Sequence, residues 1–207
     1  MVNFYKTLKR KFPELKIEID CTLHSEFQHK EARAIYSDPF KYDEVLRAWA
    51  VWMLSKQSIY SILTNSWKVE IERNTARQFQ WSKESFTNLY AKRLESTSIF
   101  SRDALSVISA TDTTTTFHYL DPPYYNSDCG HYKGYTIDDF KNLLDLISKV
   151  EGKFMLSSYP SDILKEYTDA NSWRTIEIEM PRVAGGVKTE VLTLNYNPGK
   201  AKQGELF

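Results

Sequence analysis

The chain has 207 residues, of which 42% are hydrophobic and 26% are charged, and this composition is typical of a globular protein with a domain-sized core. Its 27 basic and 27 acidic residues cancel, so overall charge gives no support for nucleic-acid binding. No run of about 18 apolar residues predicts a membrane span, and the N-terminus lacks the apolar segment of a secretory signal.

The first 95 residues predict helices. A first helix is indicated by apolar residues near helical spacing, namely Phe4, Leu8, Phe12 and Leu15. Residues 42–63 contain an apolar set broad enough for a largely buried helix, in which Trp49 and Trp52 are expected in the core. Residues 64–81 are polar, aromatic and basic and predict a loop. Residues 82–85 resemble the start of a helix that runs to about Glu95.

The charges within this region are unevenly distributed. Between Arg47 and Arg102 the sequence has nine basic residues and four acidic ones, although the whole chain is neutral. The excess indicates either a basic, DNA-binding lobe or a solvated helical surface, and charge alone does not decide between them.

From about residue 97, strands and helices alternate. Strands are predicted at 98–100, 117–120 and 154–156, and helices at 103–110, from Thr136 onward and at 161–167. Asp103 and Thr136 are the expected N-caps of two helices, and the second helix has an apolar stripe of Phe140, Leu143, Leu144 and Ile147. The runs 173–180 and 190–196 are too close for a crossover helix, so this pair should be antiparallel. The pattern predicts an α/β fold with a mainly parallel sheet and an antiparallel C-terminal edge strand.

One short motif suggests a specific chemistry. Asp121-Pro122-Pro123-Tyr124 follows an apolar strand, and ligands of open α/β sheets bind beyond the carboxyl ends of strands. Both prolines fix φ and push the preceding residue toward extended backbone, so the loop should be stiff. The loop therefore holds a carboxylate, a backbone carbonyl and an aromatic ring in a fixed relation.

This arrangement suits the exocyclic amine of adenine. Hydrogen bonds from its two N–H groups to the Asp121 carboxylate and the Pro122 carbonyl would draw electron density onto the nitrogen, while Tyr124 stacks on the base. Stacking on an aromatic ring contributes roughly 1–3 kcal/mol, which offsets much of the energy needed to extrude a base from a duplex. No side chain supplies an electrophile, so a transferred methyl group has to come from a cofactor.

The same motif resembles that of a known family. Tyr119-Leu120-Asp121-Pro122-Pro123-Tyr124 resembles the catalytic motif of the Dam-like (D12 class) DNA N6-adenine methyltransferases. Further segments similar to that family are Arg102-Asp103-Ala104-Leu105, Tyr135-Thr136-Ile137-Asp138-Asp139-Phe140, Phe154-Met155-Leu156-Ser157-Ser158 and Thr189-Glu190-Val191-Leu192-Thr193-Leu194-Asn195-Tyr196. The resemblance covers most of residues 97–197. It implies a Rossmann-like class I methyltransferase sheet, S-adenosylmethionine (AdoMet) as cofactor and double-stranded DNA as substrate.

One part of the family pattern is absent from this sequence. The family begins with a glycine-rich loop and a strand ending in an acid, which together hold AdoMet, whereas the first hundred residues here contain no glycine. We therefore expect an N-terminally truncated or split member with an incomplete sheet and exposed apolar surface. The expected partner that completes the fold is an N-terminal fragment or a second copy of the chain.

The resemblance also implies a division of the chain and a set of residue roles. Residues 1–14 would be a helix of the methyltransferase core, 15–95 a mostly helical target-recognition lobe, and 96–207 the catalytic core. The catalytic residues would be Asp121, Pro122, Pro123 and Tyr124. The AdoMet contacts would be Asp103, Ala104 and Asp121, although Asp103 is equally well explained as a helix cap. The DNA contacts would be Arg73, Asn74, Arg77, Tyr132 and Lys133.

Several of these roles have plainer alternatives. Tyr132 and Lys133 are also ordinary loop residues, and most contacts of arginine and asparagine with DNA go to phosphates rather than bases. His118 lies within a strand and is expected to be structural. Cys21 and Cys129 are far apart in the sequence, so we expect a reducing cytoplasm and neither a disulfide nor a metal site.

Three hypotheses follow from the sequence. The first is site-specific methylation of adenine N6 in DNA, by a split or truncated enzyme. The second is a DNA-binding remnant or subunit that does not bind the cofactor. The third is methylation of another amine such as cytosine N4, against which the resemblance downstream of the motif argues.

Overall fold

A computed structural model describes residues 1–70, 72, 74–126, 134–181 and 187–199. The chain divides between Ser101 and Arg102 into two compact units, and each unit has its own apolar core. Residues 1–14, which the sequence analysis assigns to the methyltransferase core, pack within the first unit. The assignment of functions to the units stays a prediction.

The first unit is helical. Within its described residues the α-helices are α1 (Val2–Arg10), α2 (Phe12–Cys21), α3 (Glu26–Ser37), α4 (Glu44–Gln57), α5 (Thr75–Ser85) and α6 (Leu89–Arg93). Short 3-10 turns cover Pro39–Lys41, Ile59–Ser61 and Leu94–Ser96.

Helix α4 is the centre of this unit. It packs against α1, α2 and α3, and its buried residues include Trp49, Trp52, Met53 and Leu54. The burial of Trp49 and Trp52 confirms the prediction that both belong to the core. Asp43 begins the helix, because its carboxylate accepts hydrogen bonds from the backbone N–H groups of the next turn.

Two helix predictions in this unit are wrong. Residues 75–81, predicted as a loop, form most of α5, and residues 82–85, predicted as a helix start, are its end. Asn74 begins α5 instead, with a left-handed φ of 44° and a side-chain oxygen that accepts from the N–H of Arg77 at 3.1 Å. The hydroxyls of Ser82 and Ser85 donate to carbonyls one turn earlier, so these residues bond to the helix that they close.

The predicted strand at 98–100 is also wrong, because these residues are irregular in the structure. Ile99 and Phe100 are both exposed rather than packed in a sheet. Their local preference for extended backbone does not make a strand where no sheet burial supports it.

The second unit contains a four-stranded mixed sheet. Its described elements are α7 (Ala104–Thr111), β1 (Phe117–Leu120), α8 (Ile137–Ile147), β2 (Lys153–Ser158), α9 (Asp162–Asn171), β3 (Arg174–Pro181) and β4 (Val187–Leu194). The strand order is β1-β2-β4-β3, in which β1 and β2 are parallel and β4 is antiparallel to both of its neighbours. The prediction of a mixed α/β unit with an antiparallel C-terminal strand is confirmed.

Two details of the predicted sheet are wrong. Among the described strands only one pair is parallel, and β4 lies between β2 and β3 rather than at the edge. Asn195 explains part of this position. Its side-chain oxygen accepts from the N–H of Phe154 at 2.8 Å and its nitrogen donates to the carbonyl of Gly152 at 2.9 Å, which ties the end of β4 to the start of β2.

The core of this unit covers one face of the sheet. The apolar stripe of α8 predicted from the sequence is buried against Phe154 and Leu156 of β2, and Leu164 of α9 joins the same cluster. Thr136 caps α8 as predicted, in a capping box with Asp139. The opposite face is more open, because Tyr119 is 60% exposed and Ile176 is 43% exposed.

Candidate functional site

The motif Asp121-Pro122-Pro123-Tyr124 lies directly after β1, and Asp121 is exposed while Tyr124 is half-buried. Strand β2 runs parallel to β1, so the carboxyl ends of both strands lie at the same edge of the sheet. Strand β4 runs the other way, and its beginning therefore lies near this edge too. The topology brings three chain segments together beside the motif.

Tyr124 is held in place by the neighbouring strand. Its hydroxyl lies 2.6 Å from the hydroxyl of Ser157, near the end of β2. Its ring meets the ring of Tyr159 edge to face, with 4.5 Å between centroids and 72° between planes. These contacts fix the position and orientation of the Tyr124 ring. A ring held in one orientation favours binding of a planar ligand.

The phenol of Tyr124 stays protonated at neutral pH. Burial raises its pKa above the ordinary value of 10.0, the hydrogen bond with Ser157 opposes this shift, and the carboxylates of Glu190 and Asp121 add to it. The Tyr124 side chain is therefore uncharged at neutral pH.

A lysine completes the surroundings of the two tyrosines. The ammonium of Lys188 lies 3.7 Å from the ring centroid of Tyr159 and 3.8 Å from a carboxylate oxygen of Glu190. A cation on the face of one ring stabilises that ring's position. Lys188 therefore links the start of β4 to the end of β2 beside the motif.

Four residues at this edge escaped the sequence-based site prediction: Ser157, Tyr159, Lys188 and Glu190. Ser157 and Tyr159 follow the apolar residues 154–156 and precede a proline, so the rule that drew attention to Asp121 applies to them as well. Lys188 and Glu190 have no comparable pattern in the sequence. Their nearness depends on the antiparallel pairing of β4 with β2.

The predicted cofactor contacts at the start of α7 are engaged locally. One carboxylate oxygen of Asp103 accepts from the N–H of Ser106 at 2.8 Å, so Asp103 is the N-cap of α7. Ala104 is exposed in the first turn. The sequence contains no glycine before Gly130, and no glycine-rich loop is therefore available from the first hundred residues.

The predicted DNA contacts are described only in part. Asn74 uses its side-chain oxygen to cap α5, and the guanidinium of Arg77 lies 5.1 Å from the ring centroid of Trp81 on an exposed surface. Arg73, Tyr132 and Lys133 lie outside the described residues. A role of these residues in DNA binding stays a prediction.

His118 has a structural partner, as the sequence analysis expects. Its imidazole Nε2 lies 3.1 Å from the Asp112 carboxylate, which also accepts from the N–H groups of Glu151 and Gly152. Within the described part of the chain, no group of three or more His, Cys, Asp and Glu side chains has the arrangement of a metal site. The helices in that part are also too short or too polar to cross a bilayer.

Comparison with known proteins adds no assignment. No protein-family model matches the sequence, and a search of curated proteins finds no similar one. The proposals below therefore depend on the motif, its resemblance and the geometry described above.

Proposed function

We propose that this chain is the adenine-binding part of a DNA N6-adenine methyltransferase. One observation carries the proposal: an exposed carboxylate, Asp121, follows the carboxyl end of β1 beside a tyrosine ring that Ser157 of the adjacent strand holds in place. This combination is what a site for an extruded adenine requires, because the amine needs acceptors and the base needs a ring to stack on.

The chemistry of the proposed site follows from the electronic structure of the adenine amine. Its nitrogen lone pair is conjugated with the purine ring and is a poor nucleophile. Acceptance of both N–H hydrogens, by the Asp121 carboxylate and the Pro122 carbonyl, shifts electron density onto the nitrogen and orients it. Tyr124 contributes roughly 1–3 kcal/mol by stacking on the base. AdoMet, when bound, would supply the methyl group by cleavage of its S–CH3 bond and would leave as the thioether, while the methylated amine would release one proton to solvent.

The architecture supports a Rossmann-like methyltransferase core with a helical recognition lobe. A parallel pair, β1 and β2, ends at the motif, and the C-terminal strand is antiparallel, as the resemblance implies. The helical first unit corresponds to the proposed target-recognition lobe on double-stranded DNA. Each of these features agrees with the role given to Asp121.

The glycine-rich loop that the resemblance implies is absent from residues 1–129. We propose that an N-terminal segment supplies this loop, in the same polypeptide or in a separate one, and that a partner or a second copy of the chain covers the open side of the sheet. The open side of the sheet supports such a partner, since Phe117, Tyr119 and Ile176 are exposed apolar side chains on it. Exposed apolar patches of this kind favour association.

A second candidate function has one observation in its favour. The Asp103 carboxylate already caps α7, and the first hundred residues contain no glycine. On this alternative, the chain is a DNA-binding remnant or subunit that does not bind AdoMet. Calorimetric titration with AdoMet separates the two candidates. Heat of binding, for the chain alone or with its partner, supports the enzyme, and no heat at millimolar AdoMet supports the remnant.

The test of the proposed reaction uses the gene at its native locus, where any partner is also expressed. Codon 121 is changed to give Asp121→Ala, and total DNA is digested and analysed for methylated nucleosides by mass spectrometry. We expect N6-methyladenine in the parent strain and its loss in the variant. Glu166→Ala is the matched control, since Glu166 is an exposed acid on α9 outside the site.

Two results would contradict the proposal, given that Glu166→Ala retains the modification. Unchanged N6-methyladenine in Asp121→Ala removes the role of this carboxylate. Loss of N4-methylcytosine instead of N6-methyladenine assigns the site to the other amine.

A further inference from the structure

A groove runs between α4 and α5 in the first unit, far along the chain from the proposed methylation motif. It consists of two adjoining cavities of about 360 Å³ and about 200 Å³. Both cavities are lined by Ser55, Lys56 and Ser82, so they adjoin at these residues. The two ends of the groove differ sharply in chemistry.

The larger end is aromatic. Trp52, Phe86 and Tyr90 line it, and the rings of Phe86 and Tyr90 are stacked with 5.5 Å between centroids. Tyr90 is half exposed, whereas Trp52 and Phe86 are almost fully buried. The indole N–H of Trp52 is buried without an acceptor among the described residues, and a buried donor left in this state destabilises a protein by about 1–3 kcal/mol.

The smaller end is polar and basic. Lys56 and Lys68 line it together with His24, Gln78 and serine and threonine hydroxyls. The ammonium of Lys68 lies 3.3 Å from a carboxylate oxygen of Glu70. Lys56 has no ion pair within the described chain. Burial lowers the pKa of His24, so the imidazole is neutral and offers hydrogen bonding rather than charge.

No Asp or Glu lines either end of the groove among the described residues. A third cavity, between α9 and β3 of the second unit, shows the contrast. It is lined by Asp162, Asp169 and Glu177 against one lysine, Lys165, and would repel an anion. In a chain with equal numbers of acids and bases, the groove between α4 and α5 is selectively basic, which favours an anionic ligand.

The backbone beside the basic end is strained. Tyr60 and Ser61 have φ values of 57° and 59°, in the left-handed region that residues with side chains rarely adopt, and Ser61 lines the cavity. Such backbone persists only where surrounding contacts enforce it, and it concentrates at ligand sites. The strain therefore supports a binding role for this wall, in addition to the charge and the shape.

We propose that this groove binds a nucleotide, with its phosphate at Lys56 and Lys68 and its base on Tyr90, whose ring is half exposed and is backed by the buried Phe86. The aromatic end provides stacking surface and the basic end provides phosphate contacts, which are the two requirements of a site for an unpaired nucleotide. The nucleotide is either free in solution or one residue of a single strand.

This site goes beyond the proposed methylation and does not rest on it. Asn74 and Arg77 are the described residues that are predicted to contact DNA, and neither of them lines the groove. A nucleotide bound here also lies outside the unit that contains Asp121.

The experiment measures binding of a short fluorescein-labelled deoxyadenosine oligonucleotide by anisotropy, with AMP, adenosine and inorganic phosphate as competitors. Lys56→Gln should weaken binding of the oligonucleotide about tenfold and reduce the slope of log K against log salt by roughly 0.7. Lys92→Gln is the matched control. Lys92 is also an exposed lysine in the last turn of a helix, and it does not line the groove.

The aromatic end is tested by a second pair of variants. Tyr90→Leu should weaken binding of the oligonucleotide about fivefold or more, because stacking contributes roughly 1–3 kcal/mol per base. Tyr36→Leu, at an exposed tyrosine of α3 outside the groove, should leave binding unchanged. Lys56→Arg should retain most of the affinity, since the charge remains.

The outcomes separate the sources of the ligand. Competition by AMP at an affinity close to that of the oligonucleotide assigns the groove to a free nucleotide, and weak competition by AMP assigns it to a strand. Equal losses in Lys56→Gln and Lys92→Gln, or competition by phosphate as strong as by AMP, overturn the proposal. Because methylation is not measured, loss of binding in Lys56→Gln supports the groove even if Asp121→Ala leaves DNA methylation unchanged.

Discussion

The hydrogen bond between Tyr124 and Ser157 gives a sharp test of how the motif is held. Removal of the phenolic hydroxyl in Tyr124→Phe leaves the hydroxyl of Ser157, a buried residue, without its partner. This change should lower the free energy of unfolding by about 1–3 kcal/mol. Ser157→Ala leaves a hydroxyl on a half-buried tyrosine that water can reach, so its effect should be only about 0.5–1.5 kcal/mol. The double variant should lose less than the sum of the two by about 1 kcal/mol.

Hydrogen exchange of the β1 and β2 amides measures these differences, because it reports the opening of this unit separately from the helical one. NMR titration of labelled tyrosine adds a second readout. Ser157 holds the pKa of Tyr124 down against the effect of burial, so Ser157→Ala should raise that pKa further. Additive losses in the double variant, or an unchanged pKa, would show that the 2.6 Å contact does not tether the ring.

Two further predictions concern the scaffold of the same unit. The pKa of Asp112 is lowered from its ordinary value of 3.8, chiefly by the hydrogen bond from the N–H of Glu151; its contribution to stability is therefore present above that value and is lost as pH falls through the lower, folded-state value. Urea unfolding should show this acid sensitivity in the parent chain and less of it in Asp112→Asn, and identical pH profiles would contradict the assignment. Asn195→Ala removes both hydrogen bonds to the start of β2 and should destabilise the sheet by about 1–3 kcal/mol. Faster exchange of the Phe154 amide is the expected result, and unchanged exchange would show that strand pairing alone positions β4.

Several elements could be predicted because their information is local. The strand Phe117–Leu120 has the predicted bounds, and the four apolar residues of α8 are all buried at helical spacing. Asp103 and Thr136 cap the helices that follow them. The two caps bond within the first turn of their own helices, and the strand and the apolar stripe follow from the period of the local sequence.

The parts that could not be predicted depend on distant contacts or unusual backbone. Helix α5 begins at Asn74 with a left-handed φ of 44°, which the polar sequence before it does not reveal. The position of β4 depends on Asn195 bonding to residues about forty positions earlier. Lys188 and Glu190 reach the motif only through that pairing, so no local pattern marks them as part of the site.

The motif is recognisable in the sequence because stiffness, an acid and a ring coincide in four consecutive residues. The proposed substrate and cofactor depend on its resemblance to the Dam-like family. The geometry adds what the motif alone lacks: a partner for Tyr124 in Ser157 and a second tyrosine, Tyr159, packed against it.

The most direct test of the central claim compares two oligonucleotides that differ only in one adenine, which is either unmodified or N6,N6-dimethylated. The dimethylated amine has no N–H to donate to Asp121 and Pro122. Since a well-placed pair of hydrogen bonds to a base discriminates by about 1–3 kcal/mol, the chain should bind the unmodified strand at least about fivefold more tightly, and Asp121→Ala should remove the difference. Equal affinity of the parent chain for both strands would contradict the claim that the motif Asp121-Pro122-Pro123-Tyr124 recognises the adenine amine.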